Sequence, residues 1–332
     1  MLHSRVLGVP ALLACAMAVG GCGEPLHVGT RAQYLLQPKA DLDPLRLGRM
    51  VDIFRLLPEA APYVPLRDAI SRETRRPVEV FEGLNPYQLS YKLSQGRLHY
   101  AIVWGTDYPR IAEAGPDAFE PLAVSVFPDG GRTCRGLIVT EAQSKITTLD
   151  ELKGKRFAFG PKGDPVLHVA AVAALKAGGV ELKDLNLGSW GGMLPLQHRL
   201  EHHINEKETA KAVLIGVLDK ADAGVVTERT YNAWPKTGGS AVLGTYSQDQ
   251  FRVLGTTDAV PGPVVVASAR LGAEAIDAMR EFLIEELRDR PEVLKPMGWS
   301  AFAAFEPEPY QTQALKDMIA AVTPPPATQP AP

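Results

Sequence analysis

Cysteine is nearly absent from this chain of 332 residues, which holds three: Cys15, Cys22 and Cys134. So few exclude a disulfide framework and any all-cysteine metal site. A basic surplus is missing as well, with 35 Lys and Arg against 38 Asp and Glu. The formal net charge of −3 leaves no cationic stripe to hold nucleic acid. The longest apolar run, Val6 to Val19, is interrupted by Gly8 and Pro10. It is too short to span a bilayer as a helix, which takes about 20 apolar residues. No segment repeats at a period of about 20 to 50 residues, which excludes solenoids and propellers. There is no G-x-S-x-G elbow, no Walker lysine loop and no G-x-G-x-x-G turn after a strand. What is present, 45% hydrophobic and 22% charged residues, is globular composition with length enough for two lobes.

The two ends have their own chemistry. Arg5 followed by the apolar run gives residues 1–21 the pattern of an export signal. Val19-Gly20-Gly21-Cys22 then resembles the lipobox of bacterial lipoproteins, which makes Cys22 the expected lipidation site. Acyl chains bury methylenes at about 0.8 kcal/mol each, so such a chain is anchored to a membrane and does not span it. Leu12-Leu13-Ala14-Cys15 is a second possible site, with a very short apolar region before it. Residues 22–47, with Pro25, Pro38 and Pro44, read as a tether. At the other end, residues 323–332 carry five prolines and no large apolar side chain, the composition of a disordered tail.

Between the ends, short apolar runs alternate with helical patterns, as in a sheet flanked by crossover helices. Expected strands are Met50–Leu57, Val78–Phe81, Tyr100–Trp104, Gly136–Thr140, Phe157–Phe159, Val213–Leu218, Ala223–Val226 and Val264–Ala267. Expected helices are Pro62–Glu73, Tyr87–Gln95 closed by Gly96, Asp164–Ala177, Thr227–Trp234 and Gly272–Arg290. A single turn spans Thr148–Gly154, Thr106 is placed to cap a helix, and Leu315, Met318, Ile319 and Val322 form a last stripe.

Four segments carry a resemblance. They are Leu56-Leu57-Pro58-Glu59, Trp104-Gly105-Thr106-Asp107-Tyr108, the run Ile146 to Phe159 that contains Leu149-Asp150-Glu151-Leu152-Lys153-Gly154-Lys155-Arg156, and Lys220-Ala221-Asp222-Ala223-Gly224-Val225-Val226. In this order they resemble the phosphate/phosphite/phosphonate-binding family of periplasmic substrate-binding proteins of ABC transporters. The resemblance implies an α/β, two-lobed type II periplasmic-binding-protein-like fold, with a hinge and an interlobe cleft. Lobe 1 is then expected over 48–132 and again over 251–322, with lobe 2 over 133–250. It also implies a small-molecule ligand, a permease partner, no cofactor, no catalytic residue and a place at the periplasmic face of a membrane.

In that family an oxyanion is held at the start of the helix after the Lys-Gly-Lys-Arg strand, where the dipole and free N–H groups favour negative charge. Here the stretch reads Gly160-Pro161-Lys162-Gly163-Asp164-Pro165-Val166-Leu167-His168, without the usual Ser and Thr. Asp164 is a candidate ligand residue and equally a helix cap. His168 joins it as a candidate, and Lys162 offers positive charge. Tyr87, Trp104, Thr106 and Tyr108 are candidates for an aromatic, partly polar wall on the facing lobe. Asp222 and Glu228 offer acids, Ser189 stands in Ser189-Trp190-Gly191-Gly192, and Arg132 near the hinge is the best anion partner.

One constellation competes. His198-Arg199-Leu200-Glu201-His202 matches H-x-x-E-H, which puts two histidines one turn apart as zinc ligands with Glu201 as base. The run continues His203, Asn205, Glu206, Lys207 and Glu208, the composition of a solvated helix face. Three functions therefore stand: a lipid-anchored receptor capturing a small polar solute for an ABC transporter, a zinc hydrolase, or a non-transporting lobe pair that docks a partner.

Overall fold

Runs of β-branched residues become strands here, and segments that open on proline become helices, because each backbone preference suits its element. The structure, a computed structural model, describes residues 44–49, 62–81, 84–185, 206–215 and 220–323. The first stretch comprises β1 (Leu45–Arg49), α1 (Val64–Thr74), β2 (Val78–Phe81), α2 (Pro86–Ser94), β3 (Tyr100–Val103), α3 (Tyr108–Ala114) and β4 (Phe119–Val126). The middle comprises β5 (Thr133–Cys134), β6 (Gly136–Glu141), β7 (Phe157–Ala158), a π turn (Pro165–Ala170) leading into α4 (Ala171–Ala177), α5 (Glu206–Ile215), β8 (Ala223–Thr227), α6 (Glu228–Ala233) and β9 (Phe251–Thr256). The chain ends with β10 (Val260–Pro261), β11 (Val264–Ser268), α7 (Ala273–Glu281), α8 (Pro291–Leu294), β12 (Ala301–Ala304) and α9 (Gln313–Val322).

The larger sheet has six strands in the order β12-β4-β11-β3-β1-β2. β1 runs parallel to β2 and β3, whereas β11 lies antiparallel between β3 and β4. Strand periodicity of two sorts its side chains between two cores. Tyr100, Ile102, Val265 and Ala267 face α1 and α7, where Leu66, Ile70, Ile276 and Met279 are buried. Ala101, Val103, Val264 and Val266 face α2 and α3, where Leu89, Leu93 and Ile111 are buried. Burying each such leucine or isoleucine contributes roughly 1.5–3 kcal/mol. The smaller sheet has four strands in the order β7-β8-β6-β9, with the π turn and α4 packed on it.

The chain passes from β4 to the smaller sheet through β5 and returns from β9 through β10. These two crossings pair with each other, Val260 opposite Cys134 and Pro261 opposite Thr133. A third passage follows β12, because α9 leaves the larger lobe and buries Leu315 and Met318 against the core of the smaller one. All strand ends named in the register with Val103, Val264 and Val126 point toward the crossings, as do Gly136 and Thr227 of the smaller sheet.

Several expectations change. Leu45–Arg49 lies within and just after the stretch read as tether, yet it is an interior strand with Leu45 and Leu47 only 3% and 2% exposed. The expected strand over 50–57 lies outside the described residues, as do the Leu56–Glu59 segment and the tail beyond 323. Val213 to Ile215 closes a helix, not a strand, since Ala210, Ala212 and Val213 form its fully buried face. A short apolar run does not discriminate these cases. Thr106 caps nothing: the helix starts at Tyr108 with Asp107 at its cap position, and Pro109 sets that start. The lobe boundary expected after 250 comes later, because β9 pairs with β6.

Gly105, at the end of β3, has no room for a side chain: a Cβ there would lie 2.2 Å from the Pro261 carbonyl oxygen on the hinge. Gly105→Ala is expected to lose about 1–3 kcal/mol of stability by urea unfolding, the scale of forced overpacking.

Candidate ligand site at the lobe seam

In open α/β sheets ligands sit beyond the carboxyl ends of the strands, and here those ends meet at the crossings. Tyr87 stands there on the first turn of α2, where Asn85 accepts from Gln88 N–H at 2.9 Å and Gln88 accepts from Asn85 N–H at 3.2 Å. The ring is 75% exposed, a free aromatic surface at the rim. Trp104 follows β3 half-buried, and its carbonyl accepts from the N–H groups of Asp107 and Tyr108 at 2.9 and 3.0 Å. Thr106 is buried at 3% exposure. Tyr108 packs among Phe119, Phe305 and Tyr310, with ring centroids 5.9, 5.2 and 5.1 Å away, so it props the loop from beneath.

Asp107, beside them, was not singled out by the sequence reading. Burial pushes its carboxyl up to about 6, against the pull of Arg110 at 3.7 Å. The signal available was its place at a β-to-α junction behind a strand with four buried residues.

On the smaller lobe, Asp164 accepts from the N–H groups of Val166 and Leu167 at 2.9 and 2.7 Å. Its own carbonyl accepts from His168 and Val169 at 3.1 and 2.9 Å, the widened winding of the π turn. His168 Nδ1 accepts from Gly163 N–H at 3.3 Å, and its ring meets Phe159 edge-on at 5.5 Å. Gly163 supports this loop with φ +88°. A carboxylate of the chain thus occupies the N–H pair that an external oxyanion would take. Lys162 is exposed beside it.

The second helix start at this edge is filled in the same way. Glu206 of α5 accepts from Thr227 N–H and from the Thr230 hydroxyl, while Thr227 caps α6. Arg132 sits on the crossing, paired with Glu306 at 2.8 Å. Cys134 lies next to it among Arg229, Glu206 and Asp164, and burial raises its thiol to about 11, which keeps it protonated.

Asp222 is set apart from these groups. It precedes β8, at the edge away from the crossings, and accepts from Arg156 N–H at 2.8 Å. With the Arg156 side chain at 3.6 Å it closes the start of the smaller sheet. Ser189 and the His198, Glu201 and His202 motif lie outside the described residues. Among the described residues no three His, Cys, Asp or Glu side chains are grouped to hold a metal ion. Within the same residues no helix is long and apolar enough to cross a membrane.

Comparison with known proteins adds two findings. Residues 59–310 match the family described as ABC transporter, phosphonate, periplasmic substrate-binding protein. In fold the chain is similar to XAC2383 from Xanthomonas citri, solved bound to ATP, with 17% identity, TM-score 0.60, and 84% of this chain and 97% of that one covered. It is also similar to the binding-protein component of an ABC phosphonate transporter (PA3383) from Pseudomonas aeruginosa, at 14% identity, TM-score 0.57 and coverage of 84% and 89%. PhnD1 from Prochlorococcus marinus, solved with methylphosphonate, matches at 13% identity, TM-score 0.57 and coverage of 82% and 96%.

Two measurements check this geometry. Asp164→Ala removes the cap from the π turn and is expected to cost about 1 kcal/mol in urea unfolding. For Asp107 the folded pKa of about 6 exceeds the ordinary 3.8, so the native state binds its proton more tightly. Its contribution is greatest below pH ~4, falls as pH rises toward ~6, and is level above. Asp107→Asn is therefore expected to gain on the wild type by up to roughly 3 kcal/mol between pH 4 and 7.

Proposed function

We propose that this chain, which belongs to the family of periplasmic substrate-binding proteins of phosphonate ABC transporters, closes its two lobes over a small polar solute and delivers it to a permease. The solute class is a phosphonate, a phosphate-like group or a related organic ion. Lipid on Cys22 holds the protein at the periplasmic face of a membrane, so that captured solute stays near its transporter. The protein performs no covalent chemistry in this reading.

The observation that carries the reading is the meeting of the two sheets' carboxyl edges at a paired crossing. Tyr87 and Trp104 line one side, Arg132 the hinge, and the Gly160–His168 loop the other. Asp222, tied to Arg156 at the far edge, takes no part. Because Asp164 and Glu206 hold the helix-start donors, the ligand's anionic group depends on cationic side chains such as Arg132 and Lys162. Two similar proteins were solved with methylphosphonate and with ATP, and these serve as trial ligands.

Thermal unfolding with methylphosphonate, inorganic phosphate, ATP and simple organic amines tests the reading. A true ligand at a hundredfold excess over its Kd is expected to stabilise by about 2.7 kcal/mol. No shift with any of the four classes would contradict it.

A further inference from the structure

Arg229 and Asp129 form an ion pair that reaches from the smaller lobe to the larger. Arg229 is on the first turn of α6, directly after β8 of the smaller sheet. Asp129 is in the turn that leaves β4 of the larger sheet. Nε donates to Asp129 Oδ2 at 2.8 Å and Nη2 to Oδ1 at 3.3 Å, a two-pronged pairing. Nη2 also donates to the Thr133 carbonyl, on the crossing strand itself. The guanidinium carbon lies 3.8 Å above the centroid of Phe127.

Both ends of this bridge are fixed. Phe127 is 8% exposed in the larger lobe's core, and its carbonyl accepts from the Ser300 hydroxyl at 2.9 Å. Its turn is closed by Phe127 N–H to the Gly131 carbonyl at 2.9 Å, with Gly130 at φ +81°. Asp129 also accepts from Gly131 N–H at 2.9 Å. Desolvation works against ionisation there, but that N–H and Arg229 outweigh it and hold the carboxyl below the ordinary range. On the other side, Glu206 grips Thr227 N–H and the Thr230 hydroxyl, which anchors the turn that carries Arg229. A side chain anchored on one lobe thus grips a closed turn of the other, four residues ahead of the hinge strand.

We propose that Arg229 is a positioning residue that sets the angle between the lobes, through Asp129, Phe127 and the Thr133 carbonyl. In a hinged binder the apparent affinity is the intrinsic affinity scaled by the population of the competent conformation. A clasp beside the hinge axis narrows the range of angles before any solute arrives, and so governs capture without touching the solute. Lysine does not replace it, because an ammonium offers neither the fork nor the flat stacking face. The inference rests on the two-lobed capture reading, but its test needs no ligand.

Spin labels at Glu79→Cys on β2 and Lys145→Cys beyond β6, both exposed positions, report the interlobe distance in the ligand-free full chain with its native cysteines changed to alanine. The intact clasp is expected to give one narrow distance distribution. Arg229→Ala should at least double its width, and Arg229→Lys should fall between. Asp129→Asn, at a half-exposed position that tolerates change, should broaden it in the same way. The exchange Arg229→Asp with Asp129→Arg should narrow the distribution again relative to either single change. Widths unchanged in Arg229→Ala and Asp129→Asn would overturn the proposal, and so would an exchanged pair as broad as the singles.

Discussion

Two short strands, Thr133–Cys134 and Val260–Pro261, pair where the chain crosses between sheets, and the rest of the molecule is arranged around that ladder. Their pairing requires that β4 end and β6 begin at the same place, and that β9 and β11 do likewise. It therefore sets the carboxyl edges of both sheets toward each other. Gly105 packs its backbone against Pro261 at a distance no Cβ permits, so the loop after β3 is fixed to the hinge too. The Tyr310 hydroxyl donates to the Gly262 carbonyl at 2.9 Å and ties in the third passage that leads to α9. A backbone ladder of this size bends about few dihedrals, while the two cores beside it are close-packed and move as bodies.

The chemistry at the seam follows from this placement. Helix starts there expose N–H groups with a favourable dipole for anions, yet Asp164 and Glu206 meet those donors from within the chain. Under the proposed function, an anionic solute would then be held by side chains and not by these backbone donors. Asp107, whose burial brings its carboxyl to about 6, adds a charge that varies in mildly acidic surroundings. Under the proposed function, the solute would meet aromatic surface from Tyr87 and Trp104 and cationic groups at the hinge.

Much of this fold was legible in the sequence, for reasons that can be named. Val78–Phe81 and Gly136–Glu141 are bounded by turn residues, and Ile276, Met279, Leu283 and Leu287 keep the period of a buried helical face. Gly96 marked the close of α2 by its left-handed conformation at φ +66°. Elements that went unread are those whose local chemistry is ambiguous. β1 has basic residues at Arg46 and Arg49 among its leucines, and β4 carries Pro121 and Glu120 inside the strand. α9 shows its apolar stripe plainly, but nothing local says which lobe receives it. At the site, the loop after β3 and the Asp164 turn were visible as strand-to-helix junctions. Asp222 was expected in the cleft from the family resemblance, although its segment opens β8, and the structure sets it at the sheet edge away from the crossings. Arg229 and Asp129 lie 100 residues apart and meet only through the crossing, so no spacing in the chain signals them.

The most direct measurement of the central claim is small-angle X-ray scattering of the protein titrated with methylphosphonate, inorganic phosphate and ATP in turn. The account predicts that a solute that binds draws the lobes together, so the radius of gyration falls and saturates with the same concentration dependence as binding. A solute that binds tightly while the scattering curve stays unchanged would contradict it.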